Sequence, residues 1–195
     1  MKRLSVIFLI LVLVACGNKG SETSEIQSND SIISDTTKSE MRVDDSNQKD
    51  YSQIGADLMK YESVNNIKLG LKMSELIKIL GEPNEKSKSE LWGADGEYHQ
   101  TFKYTKLGIE LDFVGENDKT KIVNTITLTS PCNYQTLKGI SIGSKYAEVE
   151  QAYKDYINPD DSNSTTLVAG SIYGGVIFNF EQNIVKSIFI GAGAE

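Results

Sequence analysis

Three blocks of this chain occur twice, in the same order, and that repetition restricts the fold more than any other feature of the sequence. IKLGLKMSELIKILGEP at 67–83 matches ISIGSKYAEVEQAYKDYINP at 140–159, with Gly70 on Gly143, Lys72 on Lys145, Glu75 on Glu148 and Leu76 on Val149, all at an offset of 73. GIELDF at 108–113 matches GVIFNF at 175–180 at an offset of 67, and IVNTITL at 122–128 matches IVKSIFI at 184–190 at an offset of 62. The offset shrinks only between blocks, where loops are expected. Two copies of one packing unit account for this pattern.

Each block has a physical reading. In the first copy Met73, Leu76, Ile77 and Leu80 recur at helical spacing after a glycine-ended extended stretch, Ile67 to Gly70. Gly81 is placed to end that helix with a left-handed backbone, and Pro83 prevents its resumption. The second copy carries the equivalent stripe in Tyr146, Val149, Ala152, Tyr153 and Ile157, stopped at Asn158-Pro159, and these aromatics read as core. Gly70, Gly81, Pro83 and Gly143 are therefore structural repeat positions. Strands are expected at 89–92, 98–105, 108–114 and 121–129, then at 165–173, 175–180 and 184–190, with glycine- or asparagine-bearing turns between them. Alternation assigns Ile109, Leu111 and Phe113 to one face, and Ile122, Ile126 and Leu128 to one face of the next strand. The fold class is α+β: two tandem repeats, each a helix or helix pair packed on an antiparallel β-meander. Repeat 1 spans 51–134, with an added N-terminal helix at 51–62 through Ile54, Leu58 and Tyr61, and repeat 2 spans 135–195.

The first fifty residues have a different character. Lys2 and Arg3 precede twelve residues, 4–15, that are apolar except for Ser5. Twelve helical residues span about 18 Å, short of the roughly 30 Å hydrocarbon core, so this is the apolar region of a signal peptide, 1–15, and not a membrane span. Leu13-Val14-Ala15-Cys16 resembles the lipobox of bacterial lipoproteins. The resemblance implies cleavage before Cys16, a diacylglycerol thioether on its sulfur and a further acyl group, such as palmitate, on the new amino terminus. Several acyl chains anchor stably where one does not. Gly17, in place of an aspartate, follows Cys16. By the Gram-negative sorting rule that favours the outer membrane, on either of its faces, while a Gram-positive cytoplasmic-membrane anchor stays open. Residues 17–50 are mostly Ser, Thr, Asn, Asp, Glu and Lys without an aromatic, so with Cys16 they form a disordered tether, 16–50. Its coil dimension is roughly 30–35 Å.

The whole chain carries a formal charge of −7, and from Tyr51 onward 14 cations face 19 anions, a balance that does not attract phosphate backbones. Nucleic acid is therefore excluded as a partner class. With Cys16 lipidated, Cys132 is the single remaining thiol and reads as a buried apolar residue, with pairing between two chains as the alternative.

The segment LGLKMSELIKILGEP, a glycine, a polar helix start, an acidic residue, an apolar stripe and Leu-Gly-x-Pro ahead of strands, resembles the opening of the SmpA/OmlA lipoprotein family. That family includes an accessory lipoprotein of the outer-membrane β-barrel assembly machinery. Two such units in one exported chain are similar to the tandem architecture of the β-lactamase inhibitor proteins. The second copy departs from the motif, with Asn158-Pro159 at its end and Ala147 where the first has Ser74. The motif is structural, and no functional residue of either family maps onto a position here.

Catalysis requires a nucleophile with a base, a tuned carboxylate pair or a metal cage. His99 is the only histidine and is expected to face solvent in mid-strand, Glu75 and Glu148 are explained by helix starts, and no phosphate loop, Cys-x-x-Cys or dinucleotide fingerprint occurs. No catalytic residue, metal ligand or cofactor is expected, and the chain reads as a non-enzyme. The first copy alone has the insertion NEKSKSELWGADGEYHQ at 84–100, holding Trp92 and Tyr98, which are expected to edge a protein-binding surface; a core-capping role for Trp92 stays open. The leading expectation is a membrane-anchored envelope lipoprotein that binds or helps assemble another envelope protein. Two alternatives are an inhibitor or immunity protein, whose acidic hairpin at 116–118 would suit a basic cleft, and a small-ligand-binding lipoprotein.

Overall fold

The computed structural model describes residues 49–193, so the signal peptide, Cys16 and nearly all of the tether lie outside the described residues. The described part is α+β, with three helices and an eight-stranded antiparallel sheet. The helices are α1 (Tyr51–Tyr61), α2 (Met73–Leu80) and α3 (Tyr146–Tyr153). The strands are β1 (Glu85–Lys86), β2 (Glu90–Leu91), β3 (Tyr98–Tyr104), β4 (Ile109–Val114), β5 (Ile122–Thr129), β6 (Thr166–Ser171), β7 (Gly174–Glu181) and β8 (Ile184–Gly191). They lie in the order β1-β3-β4-β5-β8-β7-β6, and β2 also pairs with β3. Among the described residues no helix is long and apolar enough to cross a membrane.

The two meanders meet where β5 pairs with β8, in the register Ile126↔Ile190, Thr127↔Phe189 and Leu128↔Ile188. Inward-facing side chains of both meanders share one core with Met73 and Leu76 of α2, Val149 and Tyr153 of α3, and Leu58 of α1. All three helices thus cover the same face of the sheet.

The stretches leading into α2 and α3 hang from the sheet by matching hydrogen bonds. Gly70 N donates to Val123 O at 2.8 Å and Met73 N to Lys121 O at 3.0 Å, while Gly143 N donates to Val185 O at 3.0 Å and Tyr146 N to Asn183 O at 2.9 Å. Gly70 and Gly143 have φ of +77° and +92°, and a Cβ on either would meet no atom, so backbone conformation explains a glycine at both places. Gly81 ends α2 at φ +79°, but its ψ of −170° lies outside the αL region expected from the sequence. At α3 the carboxylate of Glu148 accepts from Lys145 N at 2.9 Å.

The expected alternation of β5 is corrected by a bulge. The β4–β5 register shifts between Asp112 and Phe113, so Phe113 pairs with Val123 whereas Asp112 pairs with Thr125, and Asn124 is the extra residue. Val123 is buried beside Ile126 and Leu128, whereas Ile122 is 37% exposed. The β7–β8 pair shifts in the same way between Asn179 and Phe180 and buries Val185. Periodicity of two cannot carry across such an inserted residue.

Helix α1 begins at Asp50, whose carboxylate accepts from Ser52 N and Gln53 N at 3.0 and 3.1 Å. It docks on the β6–β7 hairpin through Gly55, where a Cβ would collide with the backbone carbonyl of Gly174. At its C-terminal end the buried carboxylate of Glu62 accepts from Leu137 N and from the Tyr153 hydroxyl, both at 2.8 Å, which ties α1 to the connector and to α3. Gly55→Ala should lower stability by about 1–3 kcal/mol, because the backbone collision outweighs alanine's helix advantage of about 1 kcal/mol. Urea unfolding checks this, and an unchanged or higher midpoint would show that α1 does not dock at Gly55.

Candidate functional site

With the helices on one face, the opposite face of the sheet is the place to look for function. Directly paired residues on antiparallel strands point to the same side, so Thr127, Phe189 and Ile177 form one row on this face, and Thr129, Ser187, Asn179 and Thr166 form another. A groove of about 570 Å³ runs over it, lined by Trp92, Asp112, Asn124 and Thr125 towards one end and by Ile177, Phe189 and Gly193 towards the other. Amides and hydroxyls form part of its floor, beside the apolar Ile177 and Phe189. Asn179 donates to Ser187 Oγ at 3.0 Å and accepts from Thr166 Oγ1 at 3.1 Å.

The Trp92 end is the most organised part. The indole stacks on the imidazole of His99, with ring centroids 3.9 Å apart and 10° between planes. His99 Nε2 lies 2.8 Å from Asp95 Oδ2 in the β2–β3 turn, and Nδ1 lies 2.7 Å from Asp112 Oδ2 on β4. A neutral imidazole has one N–H, so two carboxylate partners at these distances specify the doubly protonated ring. Burial pushes the His99 pKa down, yet the hydrogen bonds and charges of Asp95 and Asp112 outweigh it and hold the pKa above the ordinary histidine value. The Asp95 carboxyl is held below the usual range, first by the backbone N–H of Glu97 and then by His99. Asn124, the bulge residue of β5, donates from Nδ2 to Asp112 Oδ2 at 3.2 Å. Asp112 Oδ1 is the one buried side-chain oxygen or nitrogen without a partner among the described residues.

The residues expected from sequence fall as follows. His99, expected at the solvent surface, is only 2% exposed: the β2–β3 hairpin folds Trp92 over it and two acids enclose it. Trp92 is 43% exposed and does not cap the hydrophobic core. Tyr98 is 40% exposed, but it neighbours His99 along β3 and pairs with Leu91, so it points away from the groove. The insertion thus places its two aromatics on opposite faces. Cys132 is buried and free. Asp95, Asp112 and Asn124 were not singled out from sequence. Asp95 stands four residues before His99 across a turn, a spacing that could have suggested the contact; Asp112 is set beside His99 by strand register alone.

Among the described residues no group of three or more His, Cys, Asp or Glu side chains is placed to hold a metal ion. What this end of the groove offers is a half-exposed indole held against an imidazole that two carboxylates fasten. The architecture is that of an α+β domain with helices on one side of its sheet and a groove of mixed polar and aromatic lining on the other. The chain belongs to the family described as Domain of unknown function (DUF7738), which matches residues 63–189 and so includes every groove residue named above except Gly193. No curated protein and no solved structure matches the chain.

The clamp makes stability depend on pH with a definite sign. A histidine whose pKa is raised by folding adds stability that is complete below its unfolded value of about 6.5 and is lost as pH rises through the folded value. The depressed Asp95 pKa works at the other end, its contribution being lost as pH falls through that value. Trp92 is the chain's only tryptophan. On the side of rising pH its emission should show a transition, at a pH above about 6.5, that disappears in His99→Gln and moves to lower pH in Asp95→Asn. An emission indifferent to pH in the native protein would mean that the stacked clamp does not form.

Proposed function

We propose that this protein is a lipid-anchored bacterial envelope protein whose folded head is a non-enzymatic binding module, and that its binding surface is the groove face of the sheet. The lipobox at residues 13–16 supports the anchor. Gly17 favours the outer membrane, and the polar stretch that follows would hold the head clear of the lipid. The head itself is read as two tandem repeats joined edge to edge. Supporting this are the matched hydrogen bonds of Gly70 and Gly143, the two bulges at Asp112/Phe113 and Asn179/Phe180, and the β5–β8 register. At the sequence offset of 62, Ile126 corresponds to Ile188 and Leu128 to Ile190, so the pairs Ile126↔Ile190 and Leu128↔Ile188 exchange with each other about Thr127↔Phe189. The resemblance to the SmpA/OmlA family points the same way, towards an assembly partner in the envelope.

The observation that carries the binding reading is the stack of Trp92 on a clamped His99. A half-exposed tryptophan stacked on a ring that two carboxylates fasten gives up little rotamer freedom when a partner arrives. Tryptophan is also a favoured anchor at protein interfaces. The same clamp argues against catalysis: carboxylates occupy both ring nitrogens of His99, which leaves neither to take a proton from a nucleophile. The inhibitor reading keeps one specific support, the solvent-exposed acidic turn at Glu116 and Asp118.

Cross-linking in intact cells of the native host, read by mass spectrometry, tests the proposal. A dominant protein partner should be recovered with the native chain, lost with Trp92→Ala and retained with Tyr98→Ala, since Tyr98 faces away from the groove. Retention with Trp92→Ala would remove the groove face from the account, and a partner identified as a secreted enzyme or toxin would favour the inhibitor reading.

A further inference from the structure

Among the described residues that line the groove there is no lysine, arginine or histidine, and Asp112 is the only ionisable side chain. An anionic ligand therefore meets no opposite charge there. An extended peptide finds no main-chain edge either, because each of the strands β4, β5, β8 and β7 under the groove is paired on both sides. Recognition falls to side chains, and these combine aromatic surface with amides and hydroxyls. Trp92 and Phe189 stand towards opposite ends, and the indole, covered by His99 on one face, is still 43% exposed. Along the groove stand Asn124, Thr125, Thr127, Asn179 and Ser187. The amides are held in place and keep hydrogen-bonding capacity to spare. Asn179 gives one of its two Nδ2 hydrogens to Ser187, and the hydroxyl that accepts it retains its own hydrogen to donate. Asn124 is fixed by donating to Asp112 and keeps its carbonyl oxygen as an acceptor. From Asp112 on β4 to Asn179 on β7 is three strand spacings, about 14 Å, which leaves room for a chain of ring-sized units.

We infer that the groove binds a short neutral oligosaccharide, with one sugar ring laid against Trp92 and the hydroxyls of the chain meeting Asn124, Thr125, Thr127, Asn179 and Ser187. A sugar ring shows an apolar face of C–H groups, which suits an aromatic side chain. Its rim of hydroxyls, each both donor and acceptor, suits amides and hydroxyls that have a hydrogen or a lone pair left to offer. A wholly apolar ligand would strip water from these polar groups and give nothing back. The volume of about 570 Å³ lies within the usual range for a small-ligand site, roughly 300–1,000 Å³. The inference rests on the groove face being the binding surface, and a saccharide seated on Trp92 competes with a protein partner for the same indole.

Isothermal titration calorimetry of the full-length chain tests the inference, with N-acetylchitotriose, maltotriose and cellotriose as neutral probes and trigalacturonic acid as the anionic one. Saturable binding of a neutral probe is expected, tighter than any binding of the acid. Combining Thr125→Val with Thr127→Val keeps the shape of both side chains and removes two hydroxyls that take no part in the His99 clamp. Binding should weaken roughly tenfold or more, as loss of two neutral hydrogen bonds implies. The pH transition of Trp92 emission should persist in this variant, which shows that its fold and clamp survive. Trp92→Ala should abolish binding, and Tyr98→Ala, on the opposite face, should leave it unchanged. No saturable binding of any neutral probe, equal binding of the acid, or undiminished binding in the threonine variant would overturn the inference. If the cell cross-links depend on Trp92 but no trisaccharide binds, the inference fails and the protein-binding surface stands. If a trisaccharide binds through Trp92 but no protein is cross-linked, the saccharide site stands and the protein-partner reading fails; if neither responds, both fail.

Discussion

The structure depends on the pairing of β5 with β8. A three-stranded meander with one helix would leave an apolar strand at its edge, open to pairing with another chain. Here each meander closes the edge of the other, and Ile126, Leu128, Ile188 and Ile190 are fully buried at the junction. The shared core then draws α1, α2 and α3 onto one face. The face without helices carries a mainly polar set of side chains, and it is continuous across the junction, so the groove contains residues of β4, β5, β7 and β8 together. Neither meander alone would have this surface.

On that face one device gives the polar surface a fixed aromatic. Trp92 stands on a two-strand hairpin, a kind of element that is marginal by itself. It is held through His99, which is fastened from the turn by Asp95 and from the sheet by Asp112. Protonation of one ring is thus linked to the position of the exposed indole. The clamp is complete only where Asp95 is ionised and His99 is protonated, the window between a depressed carboxyl pKa and a raised imidazole pKa.

Much of the secondary structure was legible in the sequence because hydrophobic periodicity and turn residues are local signals. The helices over Met73–Leu80 and Tyr146–Tyr153 and the seven strands read from the sequence fall within a few residues of their observed bounds. The two-residue strand β1 was missed, since Glu85 and Lys86 are exposed and show no alternation. The exposure of Ile122 was missed because a bulge resets the phase of the strand, and only the partner strand reveals it. Much less of the candidate site was legible. Trp92 stood out by its chemistry, but the burial of His99 follows from a hairpin folding over it, and the orphan oxygen of Asp112 follows from strand register. Both are non-local facts that spacing does not encode.

On this reading the sheet face opposite the helices is the working surface of the protein. Site-specific photo-cross-linking in the native host tests it most directly, with the photoreactive residue placed at Thr127, in the middle of the groove face, or at Ile79, which is exposed on helix α2. The expected result is a discrete protein adduct from position 127 and none from position 79. An adduct from 79 with none from 127 would place the partner on the helical side and contradict the account.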